Sequence, residues 1–183
     1  VELDPVDHRL FTADEYNNRV LVYQLDANNR LLDREARWVF GQKDVFSAES
    51  IRTATTMRIP LAVTYDKVDK RLYVGDSWHD RILIYDADPK SLPLGGGHAA
   101  VAVLGQADFI SQDPRTTRNR MDFAVTRGRG IASSLIPVGI AIDEKRRRAF
   151  ISDGGNNRVL MFDIHKDRLR SGADAIAVLG QPD

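Results

Sequence analysis

Three stretches of the chain repeat one another: VELDPVDHRLFTADEYNNRVLVYQLD from Val1, VTYDKVDKRLYVGDSWHDRILIYDAD from Val63, and IAIDEKRRRAFISDGGNNRVLMFDIH from Ile140. Asp4, Asp66 and Asp143 share one position, Asp14, Asp76 and Asp153 a second, and Arg19, Arg81 and Arg158 a third. The interval from the first Asp to the second is the same in every copy (14−4, 76−66, 153−143), and so is the shorter one from the second Asp to the Arg (19−14, 81−76, 158−153). A repeat of this length is one supersecondary unit that hides its apolar face only by stacking on a neighbour. A fourth element closes each copy: ARWVFGQKD to Asp44, VAVLGQAD to Asp108 and IAVLGQPD to Asp183. The interval from the Arg to the Gly of this element hardly varies (41−19, 105−81, 180−158), whereas the one from that Gly to the next copy stretches markedly between the first linker and the second (66−41, 143−105). Fixed spacing belongs to a scaffold, and variable length belongs to loops.

The scaffold consists of strands. Leu61-Ala62-Val63-Thr64-Tyr65 and Val138-Gly139-Ile140-Ala141-Ile142 are short apolar runs suited to buried strands. Arg71-Leu72-Tyr73-Val74 and Arg81-Ile82-Leu83-Ile84-Tyr85 are rich in β-branched and aromatic residues. Polar turns such as Asp143-Glu144-Lys145-Arg146-Arg147 and Asp153-Gly154-Gly155-Asn156-Asn157 separate them. No sustained helical period is present. The pattern predicts an all-β chain of three four-stranded antiparallel meanders, with units over 1–59, 60–136 (including a long basic linker) and 137–183. Radially stacked four-stranded sheets form a β-propeller, which typically needs ~4–8 blades. Three blades are therefore expected to be half of a six-bladed ring closed by a second copy, or a piece of a longer propeller. Val1 rather than Met opens the sequence, which keeps the second expectation open.

Tyr73-Val74-Gly75-Asp76-Ser77-Trp78-His79-Asp80-Arg81-Ile82-Leu83-Ile84-Tyr85-Asp86 resembles the NHL repeat, whose core is an apolar strand, Ala-Asp, a short Asn/His turn, Arg and a second apolar strand. Ser152 to Asp163 fits the pattern more closely, and Pro60 and Pro137 match the family's Pro-x-Gly-like approach to a blade, although only Pro137 is followed by the Gly, at Gly139. The Gly-Gln-x-Asp endings are similar to a bacterial subset of NHL-type propellers, many of them exported, which implies an extracellular or periplasmic setting. The resemblance implies a binding or scaffold domain that presents interblade loops to a protein or small-molecule ligand. Some relatives of this type are metal-dependent lyases, and some six-bladed propellers are hydrolases, so an enzyme with a site at the channel mouth is the alternative.

The residues themselves favour the scaffold. Asp14, Asp76, Asp153 and Arg19, Arg81, Arg158 recur in every copy, as structural residues do and single catalytic residues do not. A carboxylate and a guanidinium across a five-residue turn make charge-assisted hydrogen bonds. Asp4, Asp66 and Asp143 end first strands near the channel rim, where they suit either the following turn or a cation, calcium or zinc being the candidates. The four histidines, His8, His79, His98 and His165, form no His-x-His or His-Glu-x-x-His pattern, and no cysteine is present, so thiolate zinc sites and cysteine nucleophiles are excluded. Gly95-Gly96-Gly97 opens no helix and is expected to be a flexible loop.

Charge balances at 26 Lys+Arg against 26 Asp+Glu, which argues against a dedicated nucleic-acid binder. One segment departs from neutrality. Between Arg115 and Arg129 lie five arginines, Arg115, Arg118, Arg120, Arg127 and Arg129, against Asp122, a local charge of +4 (5−1). It is either a ligand loop offering guanidinium groups to phosphates or carboxylates, or a solvated linker with Met121 and Phe123 tucked beneath it. No apolar run approaches the ~18 residues of a membrane-spanning helix.

Overall fold

The computed structural model describes residues 1–113, 117–123 and 138–181. Its strands are β1 (Glu2–Asp4), β2 (Arg9–Asp14), β3 (Arg19–Gln24), β4 (Trp38–Phe40), β5 (Pro60–Asp66), β6 (Arg71–Asp76), β7 (Arg81–Asp86), β8 (Gly95–His98), β9 (Ala102–Leu104), β10 (Ile140–Asp143), β11 (Arg148–Asp153), β12 (Arg158–Asp163) and β13 (Ala177–Leu179). Among the described residues there is no α-helix, and no helix is long and apolar enough to cross a membrane. Three antiparallel meanders result: β1-β2-β3-β4, β5-β6-β7-β9 and β10-β11-β12-β13. In each, the central hairpin closes on an Asp–Arg pair directly across the ladder: Asp14 opposite Arg19, Asp76 opposite Arg81, and Asp153 opposite Arg158.

The turn inside that hairpin explains the constant Asp-to-Arg spacing. A short 3₁₀ turn, Glu15–Asn17, Ser77–His79 or Gly154–Asn156, is followed by a left-handed residue, Asn18 (φ 55°), Asp80 (φ 53°) or Asn157 (φ 54°). Asn and Asp tolerate that conformation because their short polar side chains bond locally. The β1–β2, β5–β6 and β10–β11 turns likewise end on His8, Lys70 and Arg147 at positive φ.

Alternation along the strands gives each sheet two apolar faces, and the blades stack through them. Phe11, Val20, Val22 and Phe40 of the first blade pack on Leu72, Val74, Leu83 and Tyr85 of the second. Tyr73, Ile82, Ile84 and Leu104 on the reverse of the second blade pack on Ala149, Ile151, Leu160 and Phe162 of the third. The innermost strand β5 lies against β1 and β2 on one side and β10 on the other.

One expectation is corrected. The Gly95-Gly96-Gly97 run is not a flexible loop but strand β8, which pairs parallel with β4 of the first blade and makes a fifth strand there. Close approach is the reason for glycine: a Cβ at Gly96 would lie 2.6 Å from the Gln42 carbonyl oxygen.

Candidate functional site: the strap between blades

In the second and third blades the repeated Asp and Arg side chains do more than close a hairpin, because both reach the chain that links one blade to the next. Arg81 Nε donates to Asp76 Oδ2 at 2.7 Å, while Nη2 donates to the carbonyls of Thr53 and Thr56 at 3.0 and 2.9 Å. Asp76 Oδ1 in turn accepts from the Arg58 amide at 2.7 Å. The third blade repeats this. Arg158 Nε meets Asp153 Oδ2 at 2.7 Å, Nη2 donates to Thr117 O and Arg120 O at 2.6 and 2.8 Å, and Asp153 Oδ1 accepts from the Asp122 amide at 2.8 Å. The Ala100 and Ala175 amides donate to Ala54 O and Arg118 O at 2.8 and 2.9 Å, and the Trp78 and Gly155 amides donate to Arg58 O and Asp122 O at 3.2 and 2.8 Å. Residues 53–59 and 117–123 are therefore two copies of one strap.

The sequence of the strap explains its path. Thr53 aligns with Thr117, Met57 with Met121 and Ile59 with Phe123, each Met lying at one fixed distance past the Gly of the closing element (57−41, 121−105). Both methionines are fully buried. They sit on the glycines themselves: a Cβ at Gly41 (φ +82°) would lie 2.5 Å from Met57 Cε, and one at Gly105 (φ +84°) 2.7 Å from Met121 Sδ. The residue after each glycine, Gln42 or Gln106, clamps the loop at an equally fixed point further on (49−42, 113−106). Gln42 Oε1 accepts from the Glu49 amide at 2.9 Å and Gln106 Oε1 from the Asp113 amide at 2.8 Å. Gln42 Nε2 reaches Asn18 O at 2.9 Å, and Gln106 Nε2 reaches Asp80 O at 3.1 Å. The Asn18 and Asp80 side chains complete the seat by accepting the Ile59 and Phe123 amides, both at 3.0 Å.

The closing Asp caps the loop. Asp44 accepts from the Phe46 and Ser47 amides and the Ser47 hydroxyl, and Asp108 from the Ile110 and Ser111 amides. The serine hydroxyls, followed by those backbone amides, hold both carboxyls below the usual carboxylate range. His79 takes the position of Asn17 and Asn156, and its Nδ1 lies 3.0 Å from Asp76 Oδ2.

The three rim carboxylates are not brought together around a common ion. Asp4 is buried against Arg9, with Oδ2 at 3.0 Å from Nε and 2.7 Å from Nη2, and Arg9 also donates to Tyr65 Oη and Ala87 O across the blade boundary. Asp66 receives both Nη groups of Arg147 from the third blade, at 3.0 and 2.5 Å. Asp143 accepts the Arg146 amide and side chain, at 2.9 and 3.0 Å, and these bonds hold its carboxyl below the usual range. Each also caps its turn, Asp4 through the Val6 amide and Asp66 through the Val68 amide. Among the described residues no group of three or more His, Asp or Glu side chains is placed to hold a metal ion.

Of the five linker arginines, Arg118 and Arg120 belong to the strap, with the Arg120 Nε 3.6 Å from Asp113. Arg115, Arg127 and Arg129 lie outside the described residues, as does Pro137. From Gly105 to Phe123 the second linker keeps the length of Gly41 to Ile59 (123−105, 59−41), so all of its extra length falls after Phe123.

Three four-stranded blades joined by repeated straps define a propeller-like β-repeat protein. The chain is 26% identical over 161 residues to NHL repeat-containing protein 2 of Gallus gallus, a match covering 85% of this chain and 19% of that protein. It thus spans about a fifth of the length of that relative. No family model matches the chain.

Proposed function

We propose that the chain is an arc of an NHL-type β-propeller that serves as a binding scaffold and closes into a six-bladed ring with a second copy of itself. The two exposed end faces carry this reading. Because Ala149, Ile151, Leu160 and Phe162 face the second blade, their strand neighbours Phe150, Val159 and Met161 face the other way, half-buried, beside the exposed Leu179. At the opposite end Leu10, Leu21 and Tyr23 present a half-buried face next to the exposed Leu3. These faces repeat the positions through which blade 2 packs on its neighbours. Contiguous apolar faces left to solvent drive association.

A six-bladed ring turns about 60° per blade, simple division of the circle, so a two-fold axis relates two three-blade arcs through equivalent junctions. Such junctions bury roughly 2,000 Å² or more in total. The interblade loops at the channel mouth are then the surface offered to a protein or small-molecule ligand. Light scattering on the purified chain tests the assembly: a stable mass near twice 20.5 kDa supports closure. A well-folded monomer at micromolar concentration refutes it.

A further inference from the structure

The junction of blades 1 and 2 and the junction of blades 2 and 3 use the same positions but satisfy them differently. In the first, the repeated arginine has an acceptor for each arm. Arg9 Nε and Nη2 donate to Asp4 Oδ2, Nη2 also to Tyr65 Oη at 2.9 Å, and Nη1 to Ala87 O at 2.7 Å. In the second junction Arg71 stands where Arg9 does, Asp66 where Asp4 does, and Ile142 and Ile164 where Tyr65 and Ala87 do. None of these serves Arg71. Asp66 gives both oxygens to Arg147, which also takes Asp69, and Ile142 has no hydroxyl. Asp86, directly across the ladder from Arg71, is exposed and accepts the Asp88 amide of its own loop at 3.1 Å. Arg71 forms no ion pair among the described residues, and its Nη1 is buried without a hydrogen-bond partner. Tyr73 follows two positions later on the same face of β6, where blade 1 carries Phe11. It is completely buried, and its hydroxyl also lacks a hydrogen-bond partner. Burial pushes that phenol up, and the charges of Asp66, Arg71, Arg147 and Asp69 all reach it, so it lies in the same charged corner of the junction.

We propose that Arg71 and Tyr73 form a binding site for a single small anion, a halide such as chloride, at the junction of blades 2 and 3. A guanidinium only donates and a phenol hydroxyl donates, so the partner they share is an acceptor. Water would satisfy the hydrogen bonds but leave the Arg71 charge uncompensated, whereas an anion does both. Neither donor atom reaches solvent, which suits an ion of one atom rather than a hydrated oxyanion. Arg71 is half-buried, so the ion enters past its side chain. Bound there, it does for the second junction what Asp4 and Tyr65 do for the first. The site does not depend on ring closure.

The test is diffraction at the bromine absorption edge from crystals of the 183-residue protein soaked in sodium bromide, because bromide scatters anomalously and water does not. A bromide peak within hydrogen-bond reach of Tyr73 Oη and Arg71 Nη1 is expected, and it should be lost in both Tyr73→Phe and Arg71→Gln. Tyr73→Phe places blade 1's own residue there and removes a hydroxyl that holds nothing in the protein, so this variant keeps its fold, which circular dichroism checks. In solution, replacing gluconate by bromide at fixed ionic strength should raise the melting temperature of the parent saturably. The rise should reach about 5–10 °C at a hundred times the dissociation constant, and Tyr73→Phe should abolish it. Density at the site without an anomalous signal, as for a water, overturns the proposal. Bromide peaks elsewhere on the surface with none here, an adventitious ion only, also overturn it. So does a melting temperature that responds to bromide equally in the parent and in Tyr73→Phe.

Discussion

Replacing the same residue in three copies of one motif should have three different costs. In Arg81→Ala the lost guanidinium and its Asp76 partner are both completely buried. Four hydrogen bonds disappear, to Asp76, Thr53, Thr56 and Phe109, and the Asp76 carboxylate keeps only His79 and the Arg58 amide. Removing one partner of a buried ion pair costs about 3–5 kcal/mol. Arg158, 5% exposed beside a fully buried Asp153, holds one strap in the same way and should cost roughly 2–4 kcal/mol on the same grounds. The Arg19–Asp14 pair is 15% and 26% exposed, its Nη2 grips no described carbonyl, and its loss should cost about 1 kcal/mol or less. Urea denaturation at neutral pH reads all three. At roughly 2–4 °C per kcal/mol for a chain of this size, Arg81→Ala should melt about 6–20 °C below the parent and Arg19→Ala within about 4 °C. Equal losses would show that the pair merely closes its hairpin and that the strap contacts contribute nothing.

Gly105→Ala forces a Cβ against Met121 at positive φ, and should cost about 2–4 kcal/mol by adding overpacking to backbone strain, whereas Gly180→Ala, whose nearest neighbour is Asn157 O at 3.2 Å, should cost less by chemical denaturation. Asp108, held below the unfolded carboxylate value of about 3.9, contributes stability that is complete above that pH and lost as pH falls through its folded value. The difference between Asp108→Asn and the parent should therefore be constant between about pH 5 and 7 and shrink below about pH 4, and a difference that grows on acidification would contradict this. The basic linker should bind duplex DNA only weakly, with a log–log salt slope near −3 to −4 for about four phosphates, and tight, sequence-selective RNA binding at moderate salt would contradict that.

The blades are legible in the sequence because the Asp–Asp–Arg spacing survives unchanged in every copy and the strand alternation lies directly on it. The strap is not. Thr53, Met57, Thr117 and Met121 repeat at a fixed distance from their glycines, but the longer chain after Phe123 displaces everything downstream, so the second linker looks like a non-repeated basic loop. Measuring forward from Gly41 and Gly105, rather than backward from the next copy, is the signal that finds it. A second recurrence, Arg9, Arg71 and Arg148 at a constant interval after Asp4, Asp66 and Asp143, is also readable, yet its pairing is not. Asp4 takes its own Arg9, Asp66 takes Arg147 from the next blade, and Arg148 turns to Asp163 at 3.2 Å. Partner choice there depends on how blades stack, which spacing within one copy does not encode. The β8 pairing was hidden for a similar reason. Gly95-Gly96-Gly97 shows permissive backbone, but what it approaches, the Gln42 carbonyl, belongs to the previous blade and lies far back along the chain.

Amide hydrogen exchange at two equivalent alanines tests the strap most directly. The Ala100 and Ala175 amides both donate to strap carbonyls, those of Ala54 and Arg118. Exchange from native conditions reports the free energy of opening each bond. The strap account predicts that the Ala100 and Ala175 amides are protected about as strongly as those of β7 and β12, and that Arg81→Ala lowers protection at Ala100 well below that at Ala175. Weak protection at both alanines, or an Ala100 amide indifferent to Arg81, would contradict it.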